Sequence, residues 1–220
     1  MDRKLVIWGA SGHASVVADI VRLQGEYELV GFLDDIAPDR RGTEFNGVQI
    51  LGGSEQLDQL KNKGVTHLIM GFGDCAARLI VSAKVREKGF LLATAIHPRA
   101  VVAGSVHVSP GTVIAAGAIV NPGAKIGENV IINTGASVDH DCLIDDGAHL
   151  SPGTHLAGSV TIGRSTWLGI GAIVIGGLRI GANSIIGAGS VVVNDIPANV
   201  VAYGVPAKVM RRIKVNDSEE

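Results

Sequence analysis

An aliphatic residue recurs at every sixth position through the second half of the chain. The series runs from Ile96 to Val192 without an insertion, and every member is Ile, Leu or Val. Most members are followed four positions later by a small residue, such as Ala118, Ala136 or Thr154. An α-helix has a period of about 3.6 residues and a strand a period of about 2, so a fixed period of six is typical of neither. It predicts a parallel β-helix in which three hexads form one triangular coil.

Glycine directly follows the aliphatic residue in several hexads. The positions are Gly127, Gly163, Gly169, Gly181 and Gly187. A triangular coil turns a corner after each short strand, and we expect these glycines to supply the permissive backbone that a tight corner needs. The aliphatic side chains would fill the interior of the prism.

The first 94 residues follow a different pattern, in which short apolar runs alternate with helical segments. This alternation is typical of a parallel sheet with helices on its faces. In the first helix, Val16, Ile20 and Leu23 are expected on the buried face. We predict an α/β, Rossmann-like domain over residues 1–94 and a β-helix domain with a C-terminal tail over 95–215. The expected strands cover 4–8, 28–33, 66–71 and 90–95, and the expected helices 14–23, 54–61 and 75–88.

Three loops of this first domain are expected to converge, because ligands of such sheets bind at the carboxyl ends of the strands. They are 9–13, the Asp34-Asp35 pair and 71–74. The turn 9–13 lacks the glycine spacing of the dinucleotide fingerprint. It suits either a phosphate at a helix N-terminus or a turn without a ligand. Asp34 stands where a Rossmann acid meets a ribose, although a solvated loop explains the same residues.

Composition narrows the class of partner and the compartment. The net charge is −2 and the pI about 6.4, so the chain has no global positive field for nucleic acid or an anionic membrane. Cys75 and Cys142 are too few for a disulfide framework and lack zinc-motif spacing, which favours free thiols in a reducing compartment. Residues 1–10 lack the apolar run of a signal peptide, and glycines and prolines interrupt the most apolar window, 101–120. We therefore expect a cytoplasmic protein without a membrane span.

One histidine stands between two carboxylates within the repeat. His140 lies two positions after the inward Val138 and is expected to point outward, with Asp139 and Asp141 as neighbours. A carboxylate can orient an imidazole that acts as a base, but a solvated surface histidine has the same neighbours. Gly158 lies one coil further on and is expected to stack about 5 Å away. Its N–H could polarise a carbonyl, or it could be an ordinary corner glycine.

These residues carry a family resemblance. The hexads, the segment 137–142 and the tail 195–208 resemble the left-handed β-helix acyltransferases. The turn 9–13 together with Asp34-Asp35 resembles the sialic acid O-acetyltransferase family, which includes N-acetyltransferases for nucleotide-activated 4-amino sugars. The resemblance implies a left-handed winding, a homotrimer with acetyl-CoA between adjacent prisms, a nucleotide sugar on the first domain, and a role in surface glycan biosynthesis.

The resemblance also implies roles for single residues. The match to His140 is a general base, and the following acid, here Asp141, orients it. The residues that line the acetyl and CoA path would be His149, Gly158, Gly176, Ala188 and Lys208. Those that approach the sugar nucleotide would be Gly12, His13, Asp34, Asp35 and Asn133. No resident metal is implied.

Three other functions fit parts of the pattern. The first is O-acetylation of sialic acid instead of N-acetylation of an amino sugar. A second is a β-helical carbonic anhydrase type of zinc enzyme, for which His107, His140, His149 and His155 are candidate ligands. A third is a sugar-nucleotide-binding scaffold without catalysis. A metal analysis and a thioester-consumption assay distinguish these functions.

Overall fold

The computed structural model describes residues 3–214, so Val215, the last residue of the expected second domain, lies outside the described residues. The first part is a six-stranded sheet in the order β3-β4-β2-β1-β5-β6, parallel except for the β3–β4 pair. Its strands are β1 (Arg3–Trp8), β2 (Tyr27–Leu33), β3 (Glu44–Phe45), β4 (Val48–Gly52), β5 (His67–Met70) and β6 (Leu91–Leu92). Its α-helices are α1 (Gly12–Gln24), α2 (Leu57–Asn62) and α3 (Cys75–Glu87). Two 3₁₀ turns cover Pro38–Arg40 and Ser54–Gln56.

Two details of this part differ from the sequence-based expectation. The β3–β4 hairpin was not assigned, although its turn, Asn46-Gly47, is the commonest two-residue hairpin signal and both residues have a positive φ. The expected buried face of α1 is confirmed at Ile20, which is 1% exposed, but wrong at Val16 and Leu23, which are 39% and 54% exposed. The helix packs through a row that includes small residues, namely Ala14, Val17, Ala18, Ile20 and Val21.

The expected strand over 90–95 is two strands that belong to different sheets. Leu91–Leu92 pairs with β5 and completes the first sheet, whereas Ala95–Ile96 pairs with Val113–Ile114 and begins the β-helix. Only two residues, 93 and 94, therefore separate one architecture from the other.

The second part is a column of two-residue strands arranged on three faces. The first face holds β7 (Ala95–Ile96), β10 (Val113–Ile114), β13 (Ile131–Ile132), β16 (His149–Leu150), β19 (Trp167–Leu168), β22 (Ile185–Ile186), β24 (Val200–Gly204) and β25 (Ala207–Arg212). The second face holds β8 (Val101–Val102), β11 (Ile119–Val120), β14 (Ser137–Val138), β17 (His155–Leu156), β20 (Ile173–Val174) and β23 (Val191–Val192). The third face holds β9 (His107–Val108), β12 (Lys125–Ile126), β15 (Leu143–Ile144), β18 (Thr161–Ile162) and β21 (Arg179–Ile180).

The register of these faces confirms the repeat. Neighbouring strands are parallel and stack residues one coil apart, as in Ile114 on Ile132 and Val120 on Val138. The sixth-position aliphatics form one continuous core inside the prism, with the small residues of the repeat beside them. The result is a left-handed parallel β-helix.

The glycines that follow the aliphatic residues serve a different purpose from the one expected. Positive φ values occur at the third position after the aliphatic residue, as at Gly147 and Asp141, and not at the first. The glycines at the first position are needed because the next coil lies too close for a side chain. A Cβ at Gly163 would lie 2.5 Å from the backbone nitrogen of Ala182.

This close approach leads to a stability prediction. Gly163→Ala should lower the free energy of unfolding by about 1–3 kcal/mol, because the methyl group meets backbone atoms that cannot move aside. Gly104→Ala is the control, since a Cβ at Gly104 meets nothing within 4 Å. Urea unfolding of both variants is the measurement, and equal midpoints would contradict the steric explanation.

Both ends of the first face are covered. At the start, Gln24 Oε1 of α1 accepts a hydrogen bond of 3.2 Å from the Ile96 N–H. At the end, the coil shortens, so that Ile186 pairs with Ala202 and Ile180 with Ile196. The antiparallel pair β24–β25 then closes the sheet. Within residues 3–214, no helix has the length and apolar character needed to cross a bilayer.

Candidate active site

His140 occupies a corner of the prism, directly after a strand of the second face. Its side chain is 59% exposed, because the inward Val138 sets the phase and the chain turns outward two residues later. The turn is held by Asp139, whose Oδ1 accepts hydrogen bonds from the His140 N–H (2.7 Å) and from Asn121 Nδ2 (2.8 Å). The imidazole is thus presented to solvent on a fixed backbone.

The neighbouring carboxylate determines which ring nitrogen carries the proton. His140 Nδ1 lies 2.9 Å from Asp141 Oδ2, and an ionised carboxylate can only accept, so Nδ1–H donates and Nε2 keeps its lone pair. The hydrogen bond to Asp141, followed by the charge of Asp139, raises the pKa of His140 above its ordinary value. The carboxylate of Asp141 therefore reaches the ring. This is the arrangement of a general base.

The next coil leaves space above this ring. A Cβ at Gly158 would lie 2.5 Å from both Cε1 and Nε2 of His140, so only glycine permits the observed ring position. Among residues 3–214, the Gly158 N–H finds no hydrogen-bond acceptor with suitable geometry. Gly176 stacks one coil further along the same corner, where a Cβ would lie 3.2 Å from Gly158 O. At this corner the imidazole therefore lies beside backbone that carries no side chain. Such backbone leaves room for a planar carbonyl group next to the ring and a free N–H for its oxygen.

Replacing Asp141 with asparagine should separate its two effects. A base at His140 would work only with Nε2 unprotonated, so the rate would fall as the pH drops through the raised pKa of His140. Asp141→Asn removes the main cause of that rise, and the acid limb of kcat/KM should move to lower pH. Poorer ring orientation should also reduce the plateau by about tenfold. Asparagine tolerates the φ of +57° found here.

The control for this variant is Asp145→Asn. Asp145 Oδ1 accepts from the next backbone N–H (2.8 Å) at another corner, so it plays the same local part as Asp139 away from His140. A pH–rate profile of each variant is the measurement. An acid limb that stays in place in Asp141→Asn would contradict the assigned hydrogen bond.

A second histidine site lies on the first face. His149 is 8% exposed, with Nδ1 3.3 Å from Gly73 O and Nε2 3.3 Å from Asn133 Nδ2. Its ring stacks on Trp167 at 5.9 Å and lies 6.3 Å from the ring of His13. Burial and the nearby Arg78 charge lower the pKa of His149 to about 3 and that of His13 to about 4. Both rings are therefore neutral near pH 7.

The structure brings three of the predicted site residues together, and they lie apart from His140. His13, Asn133 and His149 form one group, to which the first sheet contributes through the loop that follows β5. His140 lies at the corner after the second face. Within one protomer the two groups occupy different sides of the prism.

The three expected loops of the first part do converge. They surround a cavity of about 540 Å³ at the carboxyl ends of β1, β2 and β5. Gly12 is the first residue of α1, beside this cavity, and its cap Ser11 makes no side-chain capping bond. The lining residues include Trp8, Gly9, Ser11, Ile36, Arg40, Phe72 and Asp74. Apolar walls with a few polar groups are typical of a small-molecule site.

Asp34 and Asp35 both line this cavity, and their carboxylates accept hydrogen bonds that hold the surrounding loops in place. Asp34 accepts from the Ile36 N–H (3.0 Å) and from Arg40 Nη1 (3.2 Å). Asp35 accepts from Trp8 Nε1 (3.0 Å) and from the Ser54 N–H (2.7 Å). Their visible contribution is therefore to fix the loop, while oxygen lone pairs remain available to a ligand.

The remaining predicted residues lie along the column. Gly176 shares the His140 corner, whereas Ala188 lies at the corner after the first face. Lys208 is exposed on β25. The four histidines considered for zinc stand on different sides, with His107 on the third face and His155 on the second. No group of three or more histidine, cysteine or acidic side chains within residues 3–214 has a geometry that could hold a metal ion.

Two family models match this chain. Residues 4–85 match the PglD N-terminal domain, and residues 159–194 match the bacterial transferase hexapeptide repeat. An acetyltransferase of Saccharomyces cerevisiae is 44% identical over 66 residues, and the match spans 34% of that protein's length.

A solved structure extends the similarity to nearly the whole chain. Perosamine N-acetyltransferase from Caulobacter crescentus, seen with CoA and GDP-perosamine, is 42% identical, with a TM-score of 0.90 over 94% of this chain and 97% of that one. The chain belongs to the hexapeptide acyltransferases. This acyltransferase is also similar to the acetyltransferase domain of PglB from Neisseria gonorrhoeae, seen with acetyl coenzyme A, at 36% identity and a TM-score of 0.89 over 96% of this chain and 100% of that one.

Proposed function

We propose that this acyltransferase transfers the acetyl group of acetyl-CoA to the 4-amino group of a nucleotide-linked 4-amino-4,6-dideoxy sugar. The observation that carries the proposal is the His140–Asp141 pair, 2.9 Å apart, at an exposed corner beside the bare backbone of Gly158. The relatives seen with CoA and GDP-perosamine support both substrate classes. A sugar amine is a suitable acceptor, because its attack requires a base at that point.

The chemistry follows from the two ring nitrogens. Acetyl-CoA supplies the thioester. His140 Nε2 takes the proton from the sugar nitrogen as that nitrogen bonds to the acetyl carbon, while Asp141 stabilises the imidazolium. The Gly158 N–H donates to the acetyl oxygen, where negative charge develops. The C–S bond breaks, and the imidazolium returns its proton to the departing sulfur, which leaves an amide and free CoA.

Neither cysteine is needed for this direct transfer. Cys142 is 1% exposed inside the prism, and its thiol lies 3.2 Å from Ala157 O. Burial raises the pKa of both cysteine thiols, which disfavours the reactive thiolate.

We also propose a homotrimer with the site between protomers. The support is the separation of the two histidine groups and of Gly176 from Ala188, which lie at different corners of one prism. A groove between two prisms would bring the His140 corner of one protomer to the first face of its partner. His149 and Asn133 would then join the base, and Lys208 would lie along the CoA path.

The experiment is a thioester-consumption assay with acetyl-CoA and a panel of acceptors. UDP-, GDP- and dTDP-linked 4-amino sugars test whether the acceptor is an amine. They also show which nucleotide is accepted, since the sequence does not predict the base. Sialic acid tests whether the chain belongs to the sialic acid O-acetyltransferase family. That assignment stays a prediction, and so does the cytoplasmic location. Turnover with an amino sugar and mass gain of one acetyl group are expected. Turnover with sialic acid and with none of the amino sugars would contradict the proposed acceptor.

A further inference from the structure

Helix α3 carries a buried cation that has no anionic partner. Arg78 is 1% exposed, and no carboxylate within residues 3–214 lies at ion-pair distance from its guanidinium. Burying a charge is costly unless its donors are satisfied. All the hydrogen bonds of this side chain go to backbone carbonyls, and they belong to Phe72, Gly73, Asn129, Gly147 and Ala148.

These carbonyls come from both parts of the molecule. Nη1 donates to Gly73 O (2.6 Å) in the loop after β5, while Nε donates to Asn129 O (3.1 Å) and Nη2 to Gly147 O (2.8 Å) at the same corner of two successive coils of the β-helix. The planar guanidinium can serve such divergent acceptors, whereas an ammonium group cannot. Arg78 therefore fixes the position of the Gly73 loop relative to the prism.

The Gly73 carbonyl is shared with His149. It accepts from Arg78 and lies 3.3 Å from His149 Nδ1. Because a carbonyl only accepts, the proton of the neutral ring lies on Nδ1, and Nε2 is left as an acceptor facing Asn133 Nδ2. The titratable groups around this ring are Arg78 from α3 and His13 from α1.

We propose that Arg78 is a positioning residue for acetyl transfer, which holds the Gly73 carbonyl against His149 so that the proton of this buried, neutral ring lies on Nδ1. The inference rests on the proposed function, in which His149 joins the His140 base in the groove between protomers. A cationic imidazolium there would oppose the positive charge that develops on the attacking nitrogen. A neutral ring with an Nε2 lone pair does not.

The first test uses the wild-type protein and needs no turnover. Nitrogen-15 NMR of the histidine rings reports tautomer and protonation, and the His149→Gln variant assigns the signal. We expect an Nδ1–H ring that does not titrate between pH 8 and about 5, because burial and, to a smaller extent, the Arg78 charge lower the pKa of His149 to about 3. An Nε2–H ring, or a midpoint near the ordinary value of about 6.5, would overturn the proposal.

The second test compares two arginines of α3. In Arg78→Met, the Gly73 carbonyl is no longer held in place, so an Nε2–H population of the His149 ring should appear. The titration midpoint of His149 should also rise, although burial, the larger cause of its low pKa, remains. Arg86→Met is the matched control, because Arg86 also joins α3 to the prism through Glu128 (2.7 Å) but does not contact Gly73. The same His149 tautomer and midpoint in the two variants would overturn the proposal.

A third variant covers the case in which Arg78→Met does not fold. Arg78→Lys keeps the charge but cannot reach the separate carbonyls, so the pKa of His149 should stay low while an Nε2–H population appears. A pure Nδ1–H ring in Arg78→Lys would show that Arg78 does not set the tautomer. If the NMR results hold and no acceptor is acetylated, the proposed function fails while the role of Arg78 in orienting His149 stands.

Discussion

His140→Asn is expected to reduce the rate of acetyl transfer at least about a hundredfold, the usual contribution of a general base. The asparagine side chain keeps a polar group at the corner but has no lone pair that can take a proton at Nε2. The backbone turn should persist, since it is held by Asp139 and Asn121. The measurement is single-turnover acetylation of the amino sugar, with CoA affinity determined separately by calorimetry.

The matched control is His107→Asn. His107 is an exposed histidine at the start of a strand on the third face, so it tests the same substitution at another exposed position of the prism, away from the His140 corner. Its rate should stay within about twofold of wild type, as expected for a surface change. Near-normal turnover in His140→Asn with unchanged CoA affinity would remove this residue from the role of base.

Gly158→Ala is expected to have an effect of similar size for a steric reason. The added methyl group would occupy the space of His140 Cε1 and Nε2, both 2.5 Å from it, and would rotate the ring away from Asp141. Misplacement of a reacting group by about 1 Å costs on the order of a hundredfold in rate. The backbone of Gly158 is not in the left-handed region, so alanine should not strain the fold.

Gly104→Ala serves as the control here, because Gly104 has the same place in its hexad, at the same corner, three coils earlier. Its Cβ would meet nothing within 4 Å. Rates and the pH dependence of both variants are the measurement, since a displaced ring should also lose its raised pKa. A Gly158→Ala enzyme with wild-type kinetics would show that the ring and this backbone do not act together.

The stacking of His140 on Gly158 was predictable because a repeat of constant length turns sequence distance into spatial distance. One coil carries each residue onto the next, which the register of Val138 on Leu156 confirms. The glycines show where this reasoning stops. The sequence locates a glycine, but only the structure shows whether it serves a positive φ, as at Gly147, or a close approach, as at Gly163.

Arg78 was not predictable from the sequence. It lies on an amphipathic helix among other basic residues and has the spacing of an ordinary surface cation. Its acceptors are main-chain oxygens, and those of Asn129 and Gly147 lie 51 and 69 positions away. Every residue has a carbonyl group, so no side-chain pattern marks such a partner. Contacts between separate architectures depend on how the two parts pack, which the repeat does not determine.

The covered ends of the first face limit how this protein can associate. A stack of parallel strands exposes unbonded amide and carbonyl groups at each terminus, and such edges recruit further strands into fibres. Gln24 occupies one edge by accepting from Ile96, and the β24–β25 hairpin occupies the other. Both features reduce the unbonded edge groups that the first face offers for growth along the column axis, which favours sideways contact between prisms as the route to assembly. The covered ends of the first face, which reduce the tendency to aggregate, thus also favour the lateral arrangement on which a shared catalytic groove depends.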